Sequence, residues 1–131
     1  MNVQDKYGFR FRDWQVYKDA RKFRNEINKL IKGFPVDEKY ALTDQIKRAT
    51  TSIILNIAES TNKNSDKDMR LYINLSHCSL DEVVACLDCA HDDSYIGKND
   101  LEVYLLEASG LAKQLTAFTA YLSNAKPKDK H

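Results

Sequence analysis

The sequence predicts an all-α protein, an antiparallel up-down-up-down four-helix bundle. Apolar residues recur at steps of three and four in four separate segments, no segment alternates as a strand does, and the connections are short. A chain of 131 residues is long enough for one domain with a sizeable core. We expect that core within about residues 11–124, followed by a frayed tail at 125–131.

The first helix is predicted to run from Asp13 to Lys32, and Gly33-Phe34-Pro35 ends it because proline cannot continue the hydrogen-bond ladder. The second helix is predicted to begin between Asp37 and Leu42 and to end near Thr61. Their apolar faces are Val16, Ala20, Phe23, Ile27, Leu30 and Ile31 in the first helix, and Leu42, Ile46, Ala49, Ile53 and Ile57 in the second.

The third helix is predicted to follow Ser65, a residue suited to an N-terminal cap, and to end near Ala90. The fourth is predicted from Asp100 to about Asn124, with Asn99 as its cap. Their apolar faces are Met69, Ile73, Ser76, Leu80, Val83, Val84, Leu87 and Ala90, and then Leu101, Tyr104, Leu105, Ala108, Leu111, Ala112, Leu115, Phe118 and Leu122.

A polar stripe follows the second helix, about 100° around the axis from its apolar face. It consists of Gln45, Arg48, Ser52, Asn56 and Glu59. Short amides and a hydroxyl suit a stripe that is buried and hydrogen-bonded against another helix or chain. The alternative interpretation is an ordinary solvent-exposed face. We assign Ser79 and Glu82 of the third helix to the same set of interface or buried polar residues.

The third helix also has a second apolar face, about 150–200° from the first. It carries Leu71, Leu75, Cys78, Ala85 and Cys89, and Leu55 lies similarly apart from the core face of the second helix. An apolar face left over after the core is filled is typical of an interface with another chain. The sequence therefore predicts a homo-oligomer.

The net charge of +1 is unlike that of a strongly basic nucleic-acid binder, but the charge is unevenly distributed. The segment up to Lys32 contains nine basic and four acidic residues, whereas residues 64–97 contain two basic and seven acidic residues. The candidate nucleic-acid contacts are Lys47 and Arg48 on the second helix and Arg10, Arg12, Lys18, Arg21, Lys22 and Arg24 on or before the first. Trp14 and Tyr17 lie among them, and we expect Trp14 to point away from the core, where it could stack on a base or pack on another subunit. The alternative is a solvated basic helix.

Catalytic and metal chemistry is not favoured by the sequence. Cys86 and Cys89 have a C-x-x-C spacing, but they lie on one predicted helix with directions that diverge around its axis, unlike a zinc site. Glu59 and Glu82 could lie close together and share raised pKa values, although a structural role is the simpler interpretation. We therefore predict no enzyme activity, no cofactor and no metal.

The cellular location is also predicted from composition. Three cysteines are an odd number that fits reduced thiols in a cytoplasm, and no apolar run is long enough to cross a membrane.

Several short motifs resemble the family of four-helix-bundle proteins encoded within intervening sequences of bacterial 23S ribosomal RNA genes. They are Trp14-Gln15-Val16-Tyr17, Phe34-Pro35 with Glu38 and Leu42, Gln45-Ile46-Lys47-Arg48-Ala49, Ser52-Ile53, Asn56-Ile57-Ala58-Glu59, and Ser79-Leu80 with Glu82. The sequence departs from the family pattern at Ser60 and Cys78, where glycine is usual.

The resemblance implies a ring, most simply a pentamer with a central channel, and retains Lys47 and Arg48 as candidate RNA or DNA contacts. The family is similar to accessory proteins of diversity-generating retroelements, which bind nucleic acid and a reverse transcriptase. The resulting expectation is a non-enzymatic oligomeric bundle that engages RNA, DNA or a protein bound to them. A pure protein–protein assembly module is the alternative.

Overall fold

Four α-helices make up most of the computed structural model, which describes residues 5–37 and 41–123. A short 3-10 helix, Arg10–Asp13, precedes α1 (Gln15–Ile31), α2 (Leu42–Ser60), α3 (Asp66–Asp92) and α4 (Lys98–Ser123). No strand occurs in these residues, so the predicted all-α class is confirmed. The predicted tail and the last residue assigned to the fourth helix lie outside the described residues.

The predicted apolar faces form one core. Ile27, Ile46, Ile53, Ile73 and Leu87 are almost completely buried, and they come from three different helices. α4 contributes its buried residues at steps of three and four, as predicted: Ala108, Leu111 and Leu115. The core therefore follows from sequence periodicity.

α2 and α3 pack along a seam that is held by hydrogen bonds as well as by apolar contacts. The fully buried Ser76 donates from Oγ to the carbonyl oxygen of Ile53 at 2.7 Å. Along the same seam, Ser79 Oγ donates to Ser52 Oγ at 2.9 Å. A serine in a core position is tolerated because its hydroxyl has an acceptor and its small volume allows the helices to approach.

One predicted helix cap is confirmed and the other is wrong. Ser65 Oγ accepts a hydrogen bond from the backbone N–H of Asp68 and caps α3. Asn99 does not cap α4, because the helix begins one residue earlier and the N–H of Leu101 donates to the carbonyl of Gly97. Residue 97 therefore takes the capping position.

Trp14 does not point away from the bundle as predicted. Its ring is half-buried and meets the ring of Phe118 on α4 edge-on, with 5.0 Å between the ring centroids. The prediction counted Trp14 as part of the helix, but its backbone is extended, with φ −71° and ψ 132°. The half-buried Trp14 ring therefore packs against the core, with its edge contact on Phe118.

None of the described helices combines the length and the apolar character that a membrane span needs.

Candidate nucleic-acid interface

A groove of about 440 Å³ separates α1 from α2. Arg24, Asn28 and Lys32 line it from α1, where their four-residue spacing places them on one flank of the helix. Lys47 and Thr51 line it from α2. Arg24 Nε donates to Thr51 Oγ1 at 3.2 Å, which holds the guanidinium group in the groove.

The α1–α2 groove is cationic. Arg24, Lys32 and Lys47 are basic, and none of the described residues that line the groove is acidic. Lys32 and Lys47 are exposed and form no ion pair within residues 5–37 and 41–123. Three like charges around one concave surface repel one another, and a bound anion relieves that repulsion.

A second concave surface of about 390 Å³ adjoins the groove on the outer side of α2. Its lining includes Lys47, Arg48 and Leu55. Arg48 pairs with Asp44 at 3.2 Å, one turn earlier, and both side chains are largely exposed. Such an exposed pair contributes little to stability, so Arg48 can exchange its partner for a phosphate at small cost.

Arg24 meets Lys47 in the α1–α2 groove, but the other predicted basic residues on or before α1 are not among the described residues that line it. Arg12 Nη1 contacts Asp5 at 2.6 Å, and Arg21 lies over the ring of Tyr17, with 5.7 Å from Cζ to the centroid. Lys18 is exposed on α1 and lines neither the α1–α2 groove nor the adjoining surface of α2.

Lys22 lies on the other flank of α1. It lines a pocket of about 270 Å³ that also contains the acidic Asp19 and Glu107 and faces α4. Net charge along a helix does not reveal which flank each residue occupies, so the predicted basic residues are divided between the groove and other surfaces.

The polar stripe of α2 faces α3 through its central part. Ser52, Asn56 and Ser79 are half-buried, and Asn56 Nδ2 donates to Ser52 Oγ at 3.1 Å. Gln45 donates to Glu82 across the same seam, although both side chains are exposed. In the middle of the stripe the polar side chains are therefore half-buried and hydrogen-bonded, and the Ser52–Ser79 bond joins α2 to α3.

Glu59 and Glu82 are far apart, which excludes the carboxylate pair that the sequence left open and did not favour. Glu59 lies beside Lys63, 3.5 Å away, whereas Glu82 contacts Gln45. Fourteen residues of α2 separate Gln45 from Glu59, roughly 21 Å along a helix. The two carboxylates lie at opposite ends of the seam.

The second apolar face of α3 is exposed. Leu71 and Leu75 are 52% and 39% exposed, and Leu55 on α2 is 59% exposed. Cys78 and Cys89 are also exposed, so the cysteine that replaces a family glycine points outward. Ser60, the other departure, is fully buried, and its hydroxyl donates to the carbonyl of Ile57 at 2.7 Å.

The cysteines differ in environment. Burial raises the pKa of Cys86, and the nearby Glu82 and Cys89 raise it further. Across the described part of the chain, no group of three or more His, Cys, Asp or Glu side chains is arranged to hold a metal ion.

Sequence reasoning missed two features. Lys32 was counted only as part of the overall charge, although it lines the α1–α2 groove. The exposed aromatic residues Tyr7 and Phe9 were not considered at all. Their signal is visible in the sequence as the alternation of basic and aromatic residues in segment 6–12.

Together these observations define a four-helix-bundle protein with a cationic groove between its first two helices. The chain belongs to the 23S rRNA-intervening sequence protein family, whose sequence model matches residues 12–117.

A solved structure also resembles the fold. It is a protein of unknown function from the S23 ribosomal protein family of Bacteroides thetaiotaomicron, with a TM-score of 0.72 and 24% sequence identity. The similarity covers 79% of this chain and 97% of that one. No curated protein matches the sequence significantly.

Proposed function

We propose that this protein is a non-enzymatic, self-associating helical bundle that binds the phosphate backbone of RNA or DNA in its α1–α2 groove. The observation that carries the proposal is the meeting of Arg24, Lys32 and Lys47 around one groove without an acidic residue among its described lining. Arg48 extends this cationic surface around α2.

The side chains in the groove suit phosphate better than a base. Arginine and lysine neutralise phosphates, and Asn28 and Thr51 supply further polar groups. No aromatic residue is among the described residues that line the groove, so bases have nothing to stack on there. Binding in the groove should therefore be largely independent of sequence.

Three cations on one chain give modest affinity, which self-association would increase by placing several grooves on one nucleic acid. The exposed Leu55, Leu71 and Leu75 support self-association because water-exposed apolar area is lost when copies join.

By resemblance to the family, we propose a pentameric ring. The short connections support up-down-up-down bundles, and the odd number of cysteines supports a cytoplasmic location. The order of the α2–α3 contacts supports an antiparallel arrangement. Gln45, Ser52 and Ile53 of α2 contact Glu82, Ser79 and Ser76 of α3 in that order, so residue numbers rise along one helix while they fall along the other. A nucleic-acid enzyme such as a reverse transcriptase is a further candidate partner by the same resemblance.

The test is binding of fluorescent RNA and duplex DNA at low salt, with Lys47→Glu and Arg48→Glu combined in one variant. We expect the double variant to weaken binding at least tenfold while its mass in light scattering stays unchanged. The matched control is Lys113→Glu, a charge reversal at an exposed position of α4. Undetectable binding by the unmodified protein, or equal binding by the double variant, would refute the nucleic-acid proposal.

The second candidate function is a protein assembly module without nucleic-acid contact. The exposed leucines of α2 and α3 favour it, since they lie beside the half-buried polar residues of the seam. Leu71→Asp and Asn56→Leu should each reduce the mass or the stability of the assembly. If the unmodified protein is a monomer at all concentrations, self-association is wrong in both candidate functions.

A further inference from the structure

The N-terminal turn, residues 5–12, is held in a defined shape by one aspartate. Asp5 Oδ2 accepts hydrogen bonds from the backbone N–H groups of Tyr7 and Phe9, at 3.2 and 3.0 Å. The N–H of Asp5 donates in turn to Asp13 Oδ2 at 2.8 Å. Gly8 has φ +89°, which permits the reversal of the chain between the two aromatic residues. The two rings are therefore presented by an ordered turn.

The two rings are exposed although they are large and apolar. Tyr7 is 65% exposed and Phe9 is 56% exposed. Phe9 contacts Phe11 edge-on at 6.3 Å, and Phe11 meets Tyr17 of α1 at 4.9 Å, which joins the turn to the bundle. Holding apolar rings in water is unfavourable, so an ordered, exposed pair indicates a surface that is covered by a ligand.

Two cations lie near the Tyr7 ring, and one of them, Arg12, is also paired with Asp5. Lys6 Nζ and Arg12 Cζ lie 5.2 and 5.8 Å from the centroid of Tyr7. Arg10 Nη2 donates to the carbonyl of Thr61 at the C-terminal end of α2, at 3.1 Å. The ligand should therefore combine a flat apolar surface with negative charge. Unpaired nucleotides have both, because each carries a base that can stack and a phosphate.

Both the N-terminal turn and the cationic groove contact α2 or its C-terminal end. Arg10 contacts Thr61 at the end of α2, and Arg24 contacts Thr51 ten residues earlier on the same helix. Ten helical residues span about 15 Å, the length of four to five nucleotides at roughly 3.4 Å per nucleotide. One strand is therefore long enough to reach from the turn to the groove.

We infer that the N-terminal turn binds unpaired nucleobases of a single strand by stacking on Tyr7 and Phe9, while the groove holds phosphates of the same strand. This inference rests on the proposed function, which supplies the phosphate contacts. The family model matches residues 12–117, and all but the last residue of the turn precede that segment. The inference therefore concerns a part of this chain that lies outside the family match.

The experiment compares two labelled 20-nucleotide DNA strands of equal charge, oligothymidylate and a strand in which most sugars are abasic. We expect the unmodified protein to bind oligothymidylate at least about fivefold more tightly, the effect of stacking one base. Tyr7→Ala combined with Phe9→Ala should remove this preference. Tyr7→Phe combined with Phe9→Tyr should retain it, and Tyr121→Ala is the control at another exposed aromatic residue.

The outcomes separate the inference from the proposed function. Equal binding of both strands by the unmodified protein, or a preference that survives the double alanine variant, would overturn the role of the turn while the groove proposal stands. No binding of either strand would overturn both. A lower mass of the double alanine variant, with the base preference unchanged, would show that a second copy of the chain covers the rings instead. Circular dichroism checks that each variant keeps its helices.

Discussion

Replacing Lys47 by glutamine tests how many phosphates the α1–α2 groove holds. Each neutralised phosphate adds about −0.7 to the slope of log K against log salt for a single strand. While Arg48 stays paired with Asp44, the groove cations Arg24, Lys32 and Lys47 predict a slope of about −2.1 per chain, and Lys47→Gln should reduce it to about −1.4. Between 50 and 200 mM salt, affinity should fall roughly 18-fold for the unmodified protein and roughly sevenfold for the variant.

The ratio of the two slopes is the sharper quantity, because it does not depend on how many copies of the chain contact the strand. Fluorescence anisotropy at five or more salt concentrations measures both slopes, and Lys113→Gln serves as the control on α4. A ratio near two thirds for Lys47→Gln and near one for Lys113→Gln is expected. If Lys47→Gln leaves the slope unchanged, Lys47 does not contact phosphate and the groove is not the binding site.

Three further predictions follow from contacts inside the bundle. Ser76→Ala removes a buried hydroxyl that bonds across the α2–α3 seam, and should lower the free energy of unfolding by about 1 kcal/mol in urea titrations. An unchanged urea midpoint would mean that the hydrogen bond adds no stability. Trp14→Ala removes a ring packed on α4 and should lower the free energy of unfolding by about 2–3 kcal/mol. A loss of nucleic-acid binding at unchanged stability would contradict our placement of this residue. At pH 8 a thiol reagent should modify Cys86 only after unfolding, because its side chain is buried and burial raises its pKa and lowers its thiolate fraction. Modification of Cys86 in the folded protein at the rate seen after unfolding would refute this.

The helices and the core could be predicted from the sequence because both depend on local periodicity. A residue such as Ile53 or Leu115 recurs with its neighbours at steps of three and four, and this repeat alone places it on the buried face. The cap at Ser65 was predictable for a similar reason, since its hydroxyl bonds to a backbone group three residues away. Family membership was also predictable from short motifs, and the match over residues 12–117 confirms it.

The candidate sites were only partly predictable, because they depend on which flank of a helix faces which neighbour. Arg24 and Lys22 are two residues apart, yet one lines the cationic groove and the other a partly acidic pocket toward α4. The sequence left open whether Glu59 and Glu82 lie close together, and the register of α2 against α3 separates them.

What the sequence determined by itself was the set of helices and the residues that each one buries. The tertiary structure decided which polar and charged groups meet, as in the groove where Lys32 of α1 and Lys47 of α2 come together. It also decided the direction of Trp14, whose extended backbone removes it from the helical repeat. The physical reason is the range of the interactions: periodicity acts within one or two turns, whereas a groove depends on the packing of two helices across the core.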